Sequence, residues 1–394
     1  MKHKLQKLIS KLSVLFNLWG PAWLVMIADV DAASIITAAE SGATFGTKLV
    51  WFLIILILPL YFIQEVAGRV GAVTNQGLGE LIHKNYGKKM SVLASVPMAL
   101  VDIISYITEY SGIAIAGEIL GIAPYISVVI AFMIHIFIVY KKKYTQIEWY
   151  LLIVSILFVF LCGISAFLTS KKGIAFTPFY FSSSPHFIFL LAANIGAVIM
   201  PFMLFYQVSA TSEKKTTAND LWAIRVETGI GAIVSEILMI LIVIATTGIH
   251  TTMLQFASPD LLSKAFTEVA GKYAPSVFAL GLLSSSFLAL IVISLGSSWS
   301  VIDSLGLDRK NWFKIYLIES IPAVIIPMVC LNLINLVLNL MVLQILVLIA
   351  PAIMLGCLSS NKKIMGKNAL KQWEKIFYWG FLLLIFSTGL ISIL

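Results

Sequence analysis

The chain has 394 residues, 60% of them hydrophobic and only 12% charged, with a formal net charge of +8. A soluble domain cannot expose so little polar surface and stay wettable, so the composition excludes a soluble enzyme or binding module and implies an integral membrane protein. The positive charge does not point to nucleic acid, because the basic residues cluster in short loops between apolar runs, where they orient a chain in a bilayer.

The first twenty residues, MKHKLQKLISKLSVLFNLWG, start basic, but no small-residue cleavage site closes the apolar stretch, so they are read as part of a retained first helix. Crossing a hydrocarbon core of about 30 Å takes about 20 residues. On that measure spans are expected near 13–44, 47–80, 89–121, 123–140, 147–169, 187–210, 221–249, 273–305, 313–332, 335–358 and 373–393, eleven in all. The first carries ADVDAAS, with Asp29 and Asp31 inside an apolar run, and is expected to break there. The sixth carries NIGAVIMPFMLFYQ, where Pro201 removes a backbone donor and disfavours helix at Met200 before it.

Breaks in the first and sixth spans, at matching places in two five-helix halves, are the signature of an inverted-repeat transporter with its site at the bilayer midplane. The expected architecture is all-α: a single membrane domain over 1–394, with repeats at 13–169 and 187–358 and an extra helix at 373–393. Lysines and arginines at Lys2, Lys4, Lys7, Lys11, Lys84, Lys88, Lys89, Lys141 to Lys143, Lys214, Lys215, Arg225, Arg309, Lys310, Lys314 and the group from Lys362 to Lys375 fall on one side. Only Lys48, Lys171, Lys172, Lys264 and Lys272 fall on the other, which places the N-terminus in the cytoplasm of a cell-membrane protein and the C-terminus outside.

Unwound segments free carbonyl oxygens, which are tolerated at membrane depth only where they line a cavity or bind something. Carbonyls beside a carboxylate make a cation site; the plainer reading is a proline kink at Pro201 and an Asp31 that pairs with a helix end. Cys162, Cys330 and Cys357 form neither a disulfide framework nor a metal signature. The histidines, His3, His83, His135, His186 and His250, are read as mostly terminal or in loops, without ligand spacing. No catalytic triad or phosphate-binding glycine loop is present, so the chain is not expected to be an enzyme and no cofactor is expected.

At the two breaks the chain resembles the natural-resistance-associated macrophage protein family of divalent-metal transporters. That family carries Asp-Pro-Gly-Asn in the first span and Ala-x-x-Met-Pro-His in the sixth; here Asp31-Ala32-Ala33-Ser34 and Ala197, Met200, Pro201, Phe202 stand at those places. Further segments, LPLYFIQEVAGRVGAVTNQGLGELIHKNYG, ITEYSGIAIAGEILGI, ALGLLSSSFLALIVISLGSS and KKIMGKNAL, are similar in order and spacing over nearly the whole chain. The resemblance implies a leucine-transporter-like fold and a divalent metal as substrate, with Asp31 and Met200 at the family's ligand positions. Ser34 would replace an amide oxygen, and backbone carbonyls near Ala28 and Ala197 would complete the shell. Phe202 and Tyr106 replace a histidine and an acid of the family's proton route, so the proton coupling of the family is not carried over.

A thioether suits manganese, iron or cadmium better than magnesium or calcium, so Met200 favours manganese or iron(II) if it is a ligand and not merely packing. Two readings stay open beside this one: an uncoupled magnesium facilitator, since magnesium needs only a carboxylate or two with carbonyls and water, and an amine or amino-acid carrier on the same broken helices. The remaining intramembrane acids each need a partner or a cavity. Asp29, Glu109, Asp102, Glu236 and Gln207 are placed on a proton route or around the site, with Glu109 alternatively paired to Arg69. Glu40 and Glu65 are expected at the external side, and Asp303 and Glu319 at solvated span ends. The partners implied are the metal ion and the bilayer, and the oligomeric state is left open.

Overall fold

A computed structural model describes residues 19–141, 179–247, 271–329 and 333–392, with isolated positions between 153 and 164 and between 263 and 267. The helices are α1 (Pro21–Asp29), α2 (Ala32–Phe45), α3 (Val50–Thr74), α4 (Leu78–Ile119), α5 (Pro124–Lys141), α6 (Pro185–Val198) and α7 (Pro201–Glu213). They continue as α8 (Leu221–Thr246), α9 (Ala274–Leu305), α10 (Trp312–Val329), α11 (Leu333–Ser360), the short α12 (Lys362–Met365) and α13 (Gln372–Ile391). The fifth expected span, 147–169, lies outside the described residues apart from single positions; the other ten are present.

The first expected span is the broken pair α1 and α2, and the sixth is the broken pair α6 and α7. Ala32 to Thr74 is one continuous apolar stretch, yet the chain turns within it at Gly46, whose φ of +59° suits a residue without a Cβ. This separates the first span from the second. The third span begins earlier than expected, as a short segment from Leu78 that bends at Gly87 (φ 83°) into the long transmembrane part.

Burial sorts the helices. In its most apolar window, the α6–α7 pair is 89% buried while α13 is 28% buried. The broken helices therefore form the centre, and α13 faces outward. α4 packs most extensively on α9, α8 lies along α1, α2 and α3, and α7 lies against α3 and α9. The start of α1 is fixed by Glu227 of α8, whose Oε1 accepts from the N–H of Gly20 at 2.7 Å and of Trp23 at 2.9 Å. A carboxylate there takes up donors that the first turn of a helix leaves unpaired and complements the positive end of its dipole.

Candidate functional site

The first break forms without proline or glycine. Val30 (φ −80°, ψ 59°) leaves the helix, and Asp31 (φ −85°, ψ −172°) is extended and caps α2, accepting from the N–H of Ser34 at 2.8 Å. An aspartate at an N-cap satisfies a first-turn donor and favours a fresh helix start over continuation. The second break uses proline: Met200 is extended (φ −97°, ψ 148°) and Pro201 occupies the first turn of α7, where its missing N–H costs nothing. The Met200 N–H lies 3.4 Å from the Met203 sulfur.

One side chain ties the breaks together. The Ser34 hydroxyl lies 2.6 Å from the Asp29 carbonyl oxygen and 2.8 Å from the Ala197 carbonyl oxygen. With one proton it donates to one of them at a time, so it sits between the end of α1 and the end of α6. Ser285 of α9 donates to the Val30 carbonyl. Asp31, Ser34, Ala28, Ala197 and Met200 are all buried, and all five lie at the two breaks or on the adjoining helical turns. The Asp31 carboxyl meets the carboxyl of Glu109 on α4. Among the described residues no three or more His, Cys, Asp and Glu side chains are grouped so that they could hold a metal by themselves, so a cation here would rest on one carboxylate with carbonyls, a hydroxyl and a thioether.

Glu109 of α4 faces this break. Its Oε2 accepts from the Ala32 N–H at 3.2 Å, its Oε1 lies 3.3 Å from the Thr108 hydroxyl, and its carboxyl interacts with that of Asp31. The approach is close because Gly112, one turn on, lacks a side chain: a Cβ there would lie 2.3 Å from the Ala32 Cβ and 2.7 Å from the Ser286 hydroxyl. The alternative pairing of Glu109 with Arg69 is overturned. Arg69 bonds Glu65 at 2.6 Å and Glu374 at 2.8 Å, and Arg225 bonds Glu65 at 2.8 Å. Glu65 is thereby also removed from the side of Glu40, because its partners lie where α8 and α13 begin. Glu40 does find partners at its own end, in Thr44 at 3.1 Å and His186 at 3.5 Å.

The other residues singled out in the sequence separate into distinct places. Asp29 lies beside the break and interacts with Glu236 of α8; Asp29 Oδ1 and both Glu236 oxygens have no hydrogen-bond partner. Gln207 of α7 packs against Gly68 of α3, its amide nitrogen 2.8 Å from where a Cβ would sit, and neither of its amide atoms has a hydrogen-bond partner. Asp102 lies two turns before Glu109 on α4 and interacts with Glu319 of α10 and Ser297 of α9. Glu319 is buried, not solvated at a span end, and accepts from Ser297 at 2.9 Å. It stands seven residues into α10, well past the helix end where solvent would reach it.

His135 falls inside the expected span 123–140, apart from the terminal and loop histidines. It sits in α5, fully buried, between the Tyr110 hydroxyl at 3.0 Å and the Ser294 hydroxyl at 2.8 Å. Gln344 of α11 is buried and donates to Ser105 at 3.1 Å. Neither network had a local signal in the sequence, because each depends on which faces of distant helices meet. Cys357 is free and half-buried in α11; Cys162 and Cys330 lie outside the described side chains.

A family model for natural resistance-associated macrophage protein-like chains matches residues 22–394. The chain belongs to that family. Among its relatives, the divalent metal cation transporter MntH of Staphylococcus haemolyticus is 26% identical over 93% of this chain and 89% of its own length. Human natural resistance-associated macrophage protein 2 is 36% identical over 27% of this chain and 19% of its own length. The Eremococcus coleocola manganese transporter, solved with an aromatic bis-isothiourea substituted compound, superposes with a TM-score of 0.81 at 19% identity, over 98% of this chain and 87% of that one. MhsT in complex with L-phenylalanine superposes at 0.61 with 14% identity, over 94% of this chain and 97% of that one. The fold is thus the leucine-transporter-like bundle with broken first and sixth helices, and the chain is a multi-pass membrane transporter, not an enzyme.

Proposed function

We propose that the chain carries a divalent transition-metal cation, manganese or iron(II), across the membrane by alternating access, with the ion held between the two breaks. One observation carries this reading: the buried Asp31 carboxylate meets a second carboxyl, that of Glu109, and not a cationic side chain, at a break that Ser34 ties to the carbonyl of Ala197. A carboxylate without a cationic partner in a membrane interior is costly, and a cation bound by it and by the freed carbonyls removes that cost. Asp31 supplies the anionic oxygen, Ser34 and the carbonyls of Ala28 and Ala197 supply neutral oxygens, and the Met200 sulfur prefers a transition metal over magnesium. The divalent metal cation transporters among the relatives support the same substrate class.

In this reading an inward proton gradient is not required. Phe202 and Tyr106 hold two positions of the family's proton route, and both are fully buried. Divergence there supports transport driven by the metal gradient and the membrane potential. The basic residues at the end where α3 finishes and α8 and α13 begin support a cytoplasmic location for that end, with the C-terminus outside. A parallel flux assay in proteoliposomes tests the reading, with manganese and magnesium supplied separately and a pH dye inside. The expected result is manganese uptake in excess of magnesium without internal acidification. Magnesium uptake that a Met200 substitution leaves unchanged would instead favour the facilitator reading.

A further inference from the structure

Away from the two breaks, a cavity of about 450 Å³ opens where α3, α8 and α13 meet at one end of the bundle. Its walls carry four cationic side chains, Arg69, Arg225, Lys367 and Lys371, against two carboxylates, Glu65 and Glu374. Arg69 is consumed by its two glutamate partners, each within 2.8 Å. Arg225 touches Glu65 at 2.8 Å, yet 46% of its side chain remains exposed. Lys367 and Lys371 are exposed. The cavity therefore has two more positive than negative groups and a rigid buried base, which suits a ligand of one or two negative charges.

The surroundings decide what kind of anion it is. Tyr61, Phe62 and Trp373 line the same cavity. From it an aromatic ridge runs along the outward face of α13: Phe62 lies 6.2 Å from Trp373, 6.3 Å from Phe377 and 6.0 Å from Phe381, ring centre to ring centre. Trp373 and Phe377 are 53% and 52% exposed. Trp and basic residues together mark the level of lipid headgroups, and the apolar ridge leads from there toward the hydrocarbon. A free phosphate would use the cationic rim and leave the ridge bare.

We propose that this cavity binds the headgroup of an anionic glycerophospholipid, its phosphate held by Arg225, Lys367 and Lys371 and its acyl chains lying along Phe62, Phe377 and Phe381. The lipid would bridge α3, α8 and α13, and so fasten the peripheral helix α13 to the bundle.

Native mass spectrometry of the full chain, with phosphatidylglycerol and phosphatidylcholine in competition and inorganic phosphate as a separate arm, tests this. Phosphatidylglycerol should be retained about tenfold over phosphatidylcholine or better, and Lys367→Gln with Lys371→Gln should weaken it about thirtyfold, at roughly fivefold for each lysine near an anionic surface. Lys362→Gln with Lys363→Gln, equally exposed but outside the cavity, should change it less than about threefold. Trp373→Ala should also lower retention, without altering the preference for charge. Equal retention of the two lipids, equal losses in the two lysine pairs, or displacement of phosphatidylglycerol by millimolar inorganic phosphate would each overturn the assignment.

Discussion

Replacing Ser34 by alanine removes the hydroxyl that lies 2.6 Å from the Asp29 carbonyl and 2.8 Å from the Ala197 carbonyl and leaves the rest of the side chain unchanged. In a protein interior, leaving a buried carbonyl unpaired costs about 1–3 kcal/mol. Hydrogen bonds between membrane helices are weaker on average, about 0.6 kcal/mol and at most about 1.7 kcal/mol, because carbonyls freed in a bundle find other partners. The lower range governs here, since both acceptors sit at helix breaks with other polar groups close by. Read as lost pre-organisation of the metal's oxygen ligands, it corresponds to a rise of about three- to twentyfold in the apparent KM for manganese. Uptake of manganese by proteoliposomes across a concentration series measures this, with the maximum rate expected to change less than the KM. An unchanged KM would show that Ser34 does not organise the site and that the two breaks do not act as one ligand set.

Other perturbations separate packing from chemistry. Met200→Leu conserves volume and should cost less than about 1.5 kcal/mol of stability, yet it should shift the manganese-to-magnesium flux ratio toward magnesium; an unaltered ratio would make Met200 a packing residue only. Gly112→Ala drives a Cβ to 2.3 Å from that of Ala32, far inside the normal contact of about 3.5–4.0 Å. The start of α2 must then move, and manganese uptake should fall while the protein remains folded by thermal melting. Arg69→Ala strands Glu374, whose side chain is 7% exposed, and leaves the buried Glu65 with Arg225 as its remaining cation. Breaking a buried ion pair from one side costs about 3–5 kcal/mol, to be read as a lowered melting temperature in detergent with metal selectivity retained.

The breaks were legible because each has a local cause: Asp31 caps, and Pro201 cannot continue a helix. Span positions were legible for the same kind of reason, since hydropathy is a property of contiguous residues. The first break is the more instructive, because it persists with Ala32 and Ala33 after Asp31, so the cap and not a helix-breaking residue starts the new helix. Ion-pair partners were not legible. Arg69 and Glu109 lie on adjacent spans, but Arg69 turns to Glu374, 305 residues away along the chain, a choice set by the packing of α13 on α3. The burial of Glu319 and His135 is not legible, because a position along a span does not say which face is buried. Tyr110, Ser294 and Ser297, which receive them, come from α4 and α9. The cationic cavity at α13 was hidden for a related reason, as its basic residues read singly as orientation signals.

If Asp31 binds the transported ion, manganese uptake in proteoliposomes must differ sharply between wild type and Asp31→Asn. The substitution keeps the side chain's shape and an oxygen able to accept from the Ser34 N–H while removing the charge. Outer-shell residues around metals alone contribute about ten- to a hundredfold, so loss of the anionic ligand should lower uptake about a hundredfold or more without lowering the melting temperature. Uptake by Asp31→Asn equal to that of wild type would show that Asp31 does not bind the ion.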